Sequence, residues 1–109
     1  MRLFSIAVFG LALVASGSAS AVVADAGQGE IIARRWCAAC HVVANDQKQA
    51  SADVAPFAEA ARNKTNAELA AFLTDPHPKM PDMSLTREEI ADIVAYMRSL
   101  APEGPTKGK

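Results

Sequence analysis

The feature that most restricts how this chain can fold is a pair of cysteines directly before a histidine. They lie in the stretch Trp36-Cys37-Ala38-Ala39-Cys40-His41, and the 109 residues contain no other cysteine. Positions i and i+3 of a helical turn lie on the same side, so both thiols can face one shared partner. The function of the chain therefore depends on what that partner is.

Three kinds of chemistry use this spacing: a redox-active disulfide of the thioredoxin type, a zinc site, and covalent attachment of haem. The first needs a buried strand before the motif, whereas residues 30–35 favour a helix and no later stretch alternates like a strand. A tetrahedral zinc site built from cysteine and histidine needs four such ligands, and beyond the motif the chain offers only the distant His77. Haem attachment needs what is present, namely two thiols one turn apart for two vinyl groups and an adjacent imidazole for the iron.

The N-terminus predicts export. Arg2 supplies a positive charge, residues 3–15 are nearly all apolar, and small residues follow as far as Ala24. This order is typical of a secretory signal peptide, and the apolar run is shorter than the roughly 20 residues of a membrane-spanning helix. We expect a signal peptide over residues 1–24, cleaved after Ala24 or Ala21. The mature chain is then periplasmic and has no membrane span.

The rest of the chain has the size of one small domain, residues 25–101, with a flexible Pro-, Gly- and Lys-containing tail over residues 102–109. A domain this small usually needs a disulfide, a metal or a cofactor to complete its core. Loss of Arg2 with the signal peptide takes the formal net charge from −1 to −2. This charge, without any basic stripe, excludes a nucleic-acid partner.

Helical patterns dominate the predicted domain, so the expected fold class is all-α. Two capping boxes, Thr65 with Glu68 and Thr86 with Glu89, each predict the start of a helix. Four apolar patterns mark helices: Ile31, Ile32, Trp36 and Cys40; Phe57, Ala60 and Ala61; Leu69, Phe72 and Leu73; and Ile90, Ile93, Val94, Met97 and Leu100. Between the third and fourth patterns, Pro76, Pro78 and Pro81 predict a stiff, extended loop that carries Met80.

Taken together, these features resemble the class I c-type cytochromes along nearly the whole mature chain. Cys37-Ala38-Ala39-Cys40-His41 matches the haem motif of that family, and Gly29 matches the glycine of its N-terminal helix. His77-Pro78-Lys79-Met80-Pro81 resembles its methionine-ligand loop. The last helix, with Tyr96, resembles its C-terminal helix, which crosses the first helix beside that glycine. The resemblance implies a small cytochrome c fold of three to five helices around one covalent haem c, attached by Cys37 and Cys40.

The resemblance also implies axial ligands for the haem iron. His41 is the first. The second is expected to be Met80, because the ligand in the family is typically followed by proline; Met83 is the alternative, and Met97 is assigned to the core. Ligation by His77 instead would give a lower potential, because methionine raises it, but its place between two prolines favours an exposed histidine.

Several residues are expected around the haem. A backbone carbonyl should fix the free ring nitrogen of a metal-bound histidine, and the family's use of a proline carbonyl makes Pro56 the candidate. Arg62 and Lys64 are either partners of the haem propionates or solvated surface residues. The expected pocket residues are Phe57, Phe72, Leu73 and Tyr96.

The predicted function is that of an exported monohaem electron carrier, not an enzyme, acting as a monomer between redox partner proteins. Lys79, in the methionine loop, is a candidate for steering an acidic partner. Two alternatives remain open: a haem subunit permanently bound to a larger dehydrogenase or oxidase, and a haem enzyme such as a peroxidase, which needs an open iron site.

Overall fold

A computed structural model describes residues 10, 12, 16–17, 23–76 and 80–105. His77, Lys79, the last four residues and most of the predicted signal peptide lie outside this part. The elements are helix α1 (Ala26–Ile32), a π-helical stretch (Ala33–Cys37), and helices α2 (Phe57–Asn63), α3 (Asn66–Thr74) and α4 (Arg87–Leu100). The described residues include no strand, and the all-α fold class is confirmed. No helix in the described ranges has the length and apolar character needed to cross a membrane.

Both predicted capping boxes are present and define where helices begin. Thr65 Oγ1 accepts a hydrogen bond from the amide of Glu68 (3.2 Å), and a Glu68 carboxylate oxygen accepts one from the amide of Thr65 (2.8 Å). Thr86 and Glu89 repeat the arrangement at 3.1 and 2.8 Å. Each box satisfies two amides that the first helical turn leaves without an internal partner, so α3 and α4 begin where the sequence predicts.

Helices α1 and α4 cross at Gly29. A Cβ atom added to Gly29 would overlap the Asp92 carbonyl group and lie 2.9 Å from the amide nitrogen of Ile93. The Asp25 amide, just before α1, donates a hydrogen bond to an Asp92 carboxylate oxygen at 2.7 Å. The glycine therefore permits the close backbone approach expected from the sequence.

The first helical region buries Ile32 as predicted, but not the other three residues predicted for its apolar side. Ile31 and Trp36 are each 60% exposed, whereas Ile32, Ala33 and Cys37 are buried. The reason is the π-helical stretch, in which the amide of Ala38 bonds the carbonyl of Ala33, five residues back, at 3.0 Å. This wider turn changes the helical register just before the cysteine motif, which a pattern of ordinary helical spacing cannot indicate.

Arg98 links the ends of three helices. Its guanidinium donates to the carbonyl oxygens of Ala61 at 2.6 Å and Lys64 at 2.7 Å, beside the C-terminal end of α2. It also donates to Asn66 Oδ1 at 2.8 Å, at the start of α3. One side chain of α4 thus fixes the α2–α3 connection, and with it the position of Lys64.

Candidate functional site

The cysteine motif begins at the end of the π-helical stretch and closes as a tight turn. The amides of Cys40 and His41 donate to the Cys37 carbonyl at 3.1 and 2.9 Å. Cys37 is buried and Cys40 is exposed, and the two do not form a disulfide. Both nevertheless line one cavity of about 370 Å³, so the two thiols open onto a shared space as the spacing predicts.

A second cavity of about 260 Å³ adjoins the first. Four residues line both of them, namely Cys37, His41, Val54 and Met80. We call the two together the cleft, with a Cys40 half and a Phe72 half. The Cys40 half is completed by Trp36, Cys40, Ala52, Asp53, Pro81 and Met83. The Phe72 half is completed by Ala55, Phe57, Ala60, Lys64, Leu69, Phe72, Leu73 and Met97.

The imidazole of His41 is held through one of its nitrogens. Nδ1 lies 3.0 Å from the carbonyl oxygen of Ala55. A carbonyl oxygen only accepts hydrogen bonds, so Nδ1 carries the proton and Nε2 of the neutral ring is free to bind a metal. The ring also lies 5.5 Å, centroid to centroid, from the ring of Phe57.

The prediction that Pro56 supplies this carbonyl is wrong by one residue. The Pro56 carbonyl accepts a hydrogen bond from the amide of Ala60 at 3.0 Å, in the first turn of α2. Pro56 instead restricts Ala55 to extended conformations, which directs the Ala55 carbonyl to the imidazole. The orienting contact is therefore present, but through the preceding residue.

Gln47 organises the backbone around the motif, and no sequence pattern indicates this role. Its Nε2 donates to the carbonyl oxygens of His41 at 2.8 Å and Ala38 at 3.0 Å, and its Oε1 accepts from the amide of Val43 at 2.9 Å. The Val43 carbonyl in turn accepts from the Tyr96 hydroxyl at 2.6 Å. Tyr96, on α4, thus stabilises the turn that carries His41. The expectation that Tyr96 lines the pocket is wrong.

The state of the Cys37 thiol argues against a disulfide oxidoreductase. Burial, with a smaller contribution from Cys40, raises the pKa of Cys37 to about 11. The thiol is therefore protonated near neutral pH. A disulfide-exchanging cysteine needs the opposite, a lowered pKa that yields a thiolate nucleophile.

The methionines and cationic residues divide between the cleft and the rest of the molecule. Met80 is half-buried and lines both halves of the cleft, whereas Met83 lines only the Cys40 half. Met97 is buried in the core, as predicted, and also lines the Phe72 half. Lys64 lines the Phe72 half, whereas Arg62 lies in a separate cavity near the C-terminal end of α4.

The donor set and the lining fit a covalently attached haem. The cleft brings together two thiols for the vinyl groups, an imidazole with a free Nε2, and a thioether, surrounded by apolar side chains. Phe57, Phe72 and Leu73 line it as expected. Such a lining keeps solvent from the iron and helps to set its potential.

Residues 24–97 match the family model described as cytochrome C oxidase, cbb3-type, subunit III, and the chain belongs to the class I c-type cytochromes. It is similar to cytochrome c-552 of Bradyrhizobium diazoefficiens, with 58% identity over 91 residues that cover 82% of this chain and 88% of that protein. No solved structure gives a significant match. The small cytochrome c fold, one covalent haem c, and electron transfer with redox partner proteins follow from this membership.

Proposed function

We propose that the protein is an exported, monomeric electron carrier whose iron is held by His41 and Met80. The observation that carries the proposal is that both residues line both halves of the cleft, next to the two cysteines. Haem iron supplies one-electron chemistry by cycling between the ferrous and ferric states. The protein contributes the ligands and the apolar surroundings.

Two filled axial positions distinguish a carrier from an enzyme. A peroxidase needs an iron position that its substrate can reach, and His41 with Met80 leaves none. Met80 is favoured over Met83 because Met83 lines only one half of the cleft. Ligation by His77 remains an alternative for experiment, since that residue lies outside the described ranges.

Replacement of the two methionines tests the ligation. Met80→Ala should abolish the weak long-wavelength absorption band of ferric iron bound to sulfur, open the iron to carbon monoxide, and lower the midpoint potential. The matched control Met83→Ala should keep the band and exclude carbon monoxide. If Met83→Ala loses the band and Met80→Ala retains it, the assignment is reversed. If His77→Ala alone changes the ligation, the iron has two histidine ligands.

A second candidate function is that of a permanent subunit of a larger oxidase. It is favoured by the name of the matching family model, which describes an oxidase subunit, and by the exposed side chains of Ile31 and Trp36. The similarity to a cytochrome c-552 over most of both chains supports the free carrier. Sedimentation of the protein from a gently prepared periplasmic extract separates the two. A carrier sediments at the mass of one small chain, whereas a subunit sediments with its complex.

Export is tested by the mass of the purified protein. A signal peptide over residues 1–24 predicts a mature chain that begins at Asp25, or at Val22 if cleavage follows Ala21. A protein that retains Met1 would contradict export with cleavage.

A further inference from the structure

The two halves of the cleft carry opposite charges. Among the described lining residues, Asp53 is the one carboxylate and belongs only to the Cys40 half, and Lys64 is the one cationic side chain and belongs only to the Phe72 half. The cleft is otherwise largely apolar, so these two charges distinguish its ends electrostatically. A bound group with an anionic edge would therefore be oriented by them.

Lys64 is fixed at the edge of the cleft through its backbone. Its amide donates to the Ala60 carbonyl at 3.0 Å, and its carbonyl accepts from Arg98 at 2.7 Å. The ammonium nitrogen lies 4.6 Å from the centre of the Phe72 ring, an arrangement in which the ring face attracts the cation. Lys64 is half-buried and lines the Phe72 half of the cleft, so its ammonium is held beside the aromatic wall of that half.

No carboxylate in the described part of the chain pairs with this ammonium, since both ion pairs found there involve Arg34. A hydrogen bond from an ammonium to a carboxylate is charge-assisted and roughly twice as strong as one between neutral groups. The Phe72 half of the cleft therefore has the chemistry of a carboxylate-binding position.

The covalent linkage requires the same orientation of the haem. The vinyl groups and the two propionates of haem lie on opposite edges of the macrocycle. Cys37 lines both halves, but Cys40 lines only the Cys40 half, so a haem attached to both would have its thioether edge towards the Cys40 half and its propionate edge towards the Phe72 half. In the reverse orientation the propionates would face the like charge of Asp53.

We infer that Lys64 binds a haem propionate carboxylate and that Arg62, on the same helical segment but outside the cleft, does not. The inference rests on the haem-carrying role proposed above. A cation beside a propionate disfavours the extra positive charge of ferric iron, because like charges repel in this poorly solvated region. Lys64 therefore raises the midpoint potential of the protein.

The test uses the haem-loaded protein with three substitutions. Lys64→Gln should lower the midpoint potential, Lys64→Arg should restore it by keeping the charge, and the matched control Arg62→Gln should leave it unchanged. The second measurement is the ferric-minus-ferrous infrared difference spectrum with ¹³C-labelled propionates. The carboxylate bands should shift in Lys64→Gln and stay in place in Arg62→Gln.

Each outcome decides the question. The inference is overturned if Lys64→Gln and Arg62→Gln shift the midpoint potential equally. It is also overturned if the propionate bands do not shift in Lys64→Gln. If Lys64→Gln does not retain haem, the Lys64→Arg variant decides. Retention of haem in Lys64→Arg supports the need for a cation at this position, and loss of haem in Lys64→Arg overturns the inference. An unmodified protein without covalent haem or low-spin bands would instead refute the proposed function, so the two failures are distinguishable.

Discussion

Gln47 holds the turn that carries His41 through one half-buried amide side chain. It bonds the carbonyl of His41, the carbonyl of Ala38 and the amide of Val43. None of these partners can pair with it in an extended chain, because the turn itself brings them together. The side chain therefore ties the orientation of an iron ligand to the stability of the loop.

Replacing Gln47 with leucine should lower the free energy of unfolding of the haem-loaded protein by about 1–3 kcal/mol. The substitution leaves backbone groups at the motif without partners, and each such group costs about that much when it is buried. Urea denaturation followed by the haem absorbance measures the loss. Gln49→Leu is the control, since Gln49 is exposed and should change the value by less than about 0.5 kcal/mol. Equal losses in the two variants would contradict the role of Gln47.

How far the sequence predicts the site depends on the range of each contact. Cys37, Cys40 and His41 are adjacent in sequence and could be assigned from spacing, and their roles remain predictions until the variants are made. The carbonyl of Ala55 and the amide of Gln47 act through folded loops, so nothing in the local pattern indicates them. The hydroxyl of Tyr96 donates to the carbonyl of Val43, a residue 53 positions away, and no local pattern indicates this partner.

At the scale of elements, the crossing of α1 and α4 depends on the missing side chain of Gly29. The structure leaves no room there, because a Cβ atom would overlap the Asp92 carbonyl. Backbone groups, unlike a flexible side-chain end, move only if the helices move. The crossing is therefore sensitive to a single methyl group.

Gly29→Ala should lower the free energy of unfolding by about 1–3 kcal/mol, the usual cost of overpacking. The control is Gly27→Ala in the same helix, where the added Cβ would lie 3.2 Å from the side-chain oxygen of Asp25. That oxygen caps α1 by accepting from the amide of Gln28, but it belongs to a side chain that can shift slightly, and alanine favours a helix more than glycine does. Gly27→Ala should therefore cause a clearly smaller loss than Gly29→Ala. Comparison of the two urea midpoints checks the prediction, and an equal loss in Gly27→Ala would refute it.

The elements themselves were largely predictable. The capping boxes fixed the starts of α3 and α4, because a hydrogen-bonded box is encoded within four residues. The helical register just before the cysteine motif was not predictable in this way. There the π-helical turn places Cys37 on the buried side and Trp36 on the exposed side. Such a turn responds to packing of Ile32 and Ala33 against the rest of the molecule, which residue spacing alone does not reveal.

At the scale of the whole molecule, the cleft lies inside the hydrophobic core, where a domain this small depends on contacts between apolar side chains. Its two cavities, of about 370 and 260 Å³, both lie beside Cys37 of the buried cluster, and the smaller one also lies beside Leu69 and Met97. Cavities of this kind reduce stability because their walls lack partners. Bound haem would therefore complete the hydrophobic core in addition to serving as the cofactor.

Removal of both attachment points should abolish the fixed tertiary structure. The haem-free double variant Cys37→Ala, Cys40→Ala should lose near-ultraviolet circular dichroism and amide chemical-shift dispersion, because a small domain has little core to spare. The haem-loaded unmodified protein is the reference for both measurements. A haem-free variant with a sharp, cooperative unfolding transition would contradict this expectation.

The pairing of α1 with α4 also bears on the order in which the parts of the chain can fold. The bond from Asp25 to Asp92 joins residues 67 positions apart, and that from Tyr96 to Val43 spans 53. In the export proposed above, an unfolded chain would emerge amino-terminus first, and Cys37 and Cys40 would reach the far side of the membrane while α4 was still in transit. Because closure of the core needs α4, that export would leave an interval, after the thiols emerge, in which haem could be attached to an open chain.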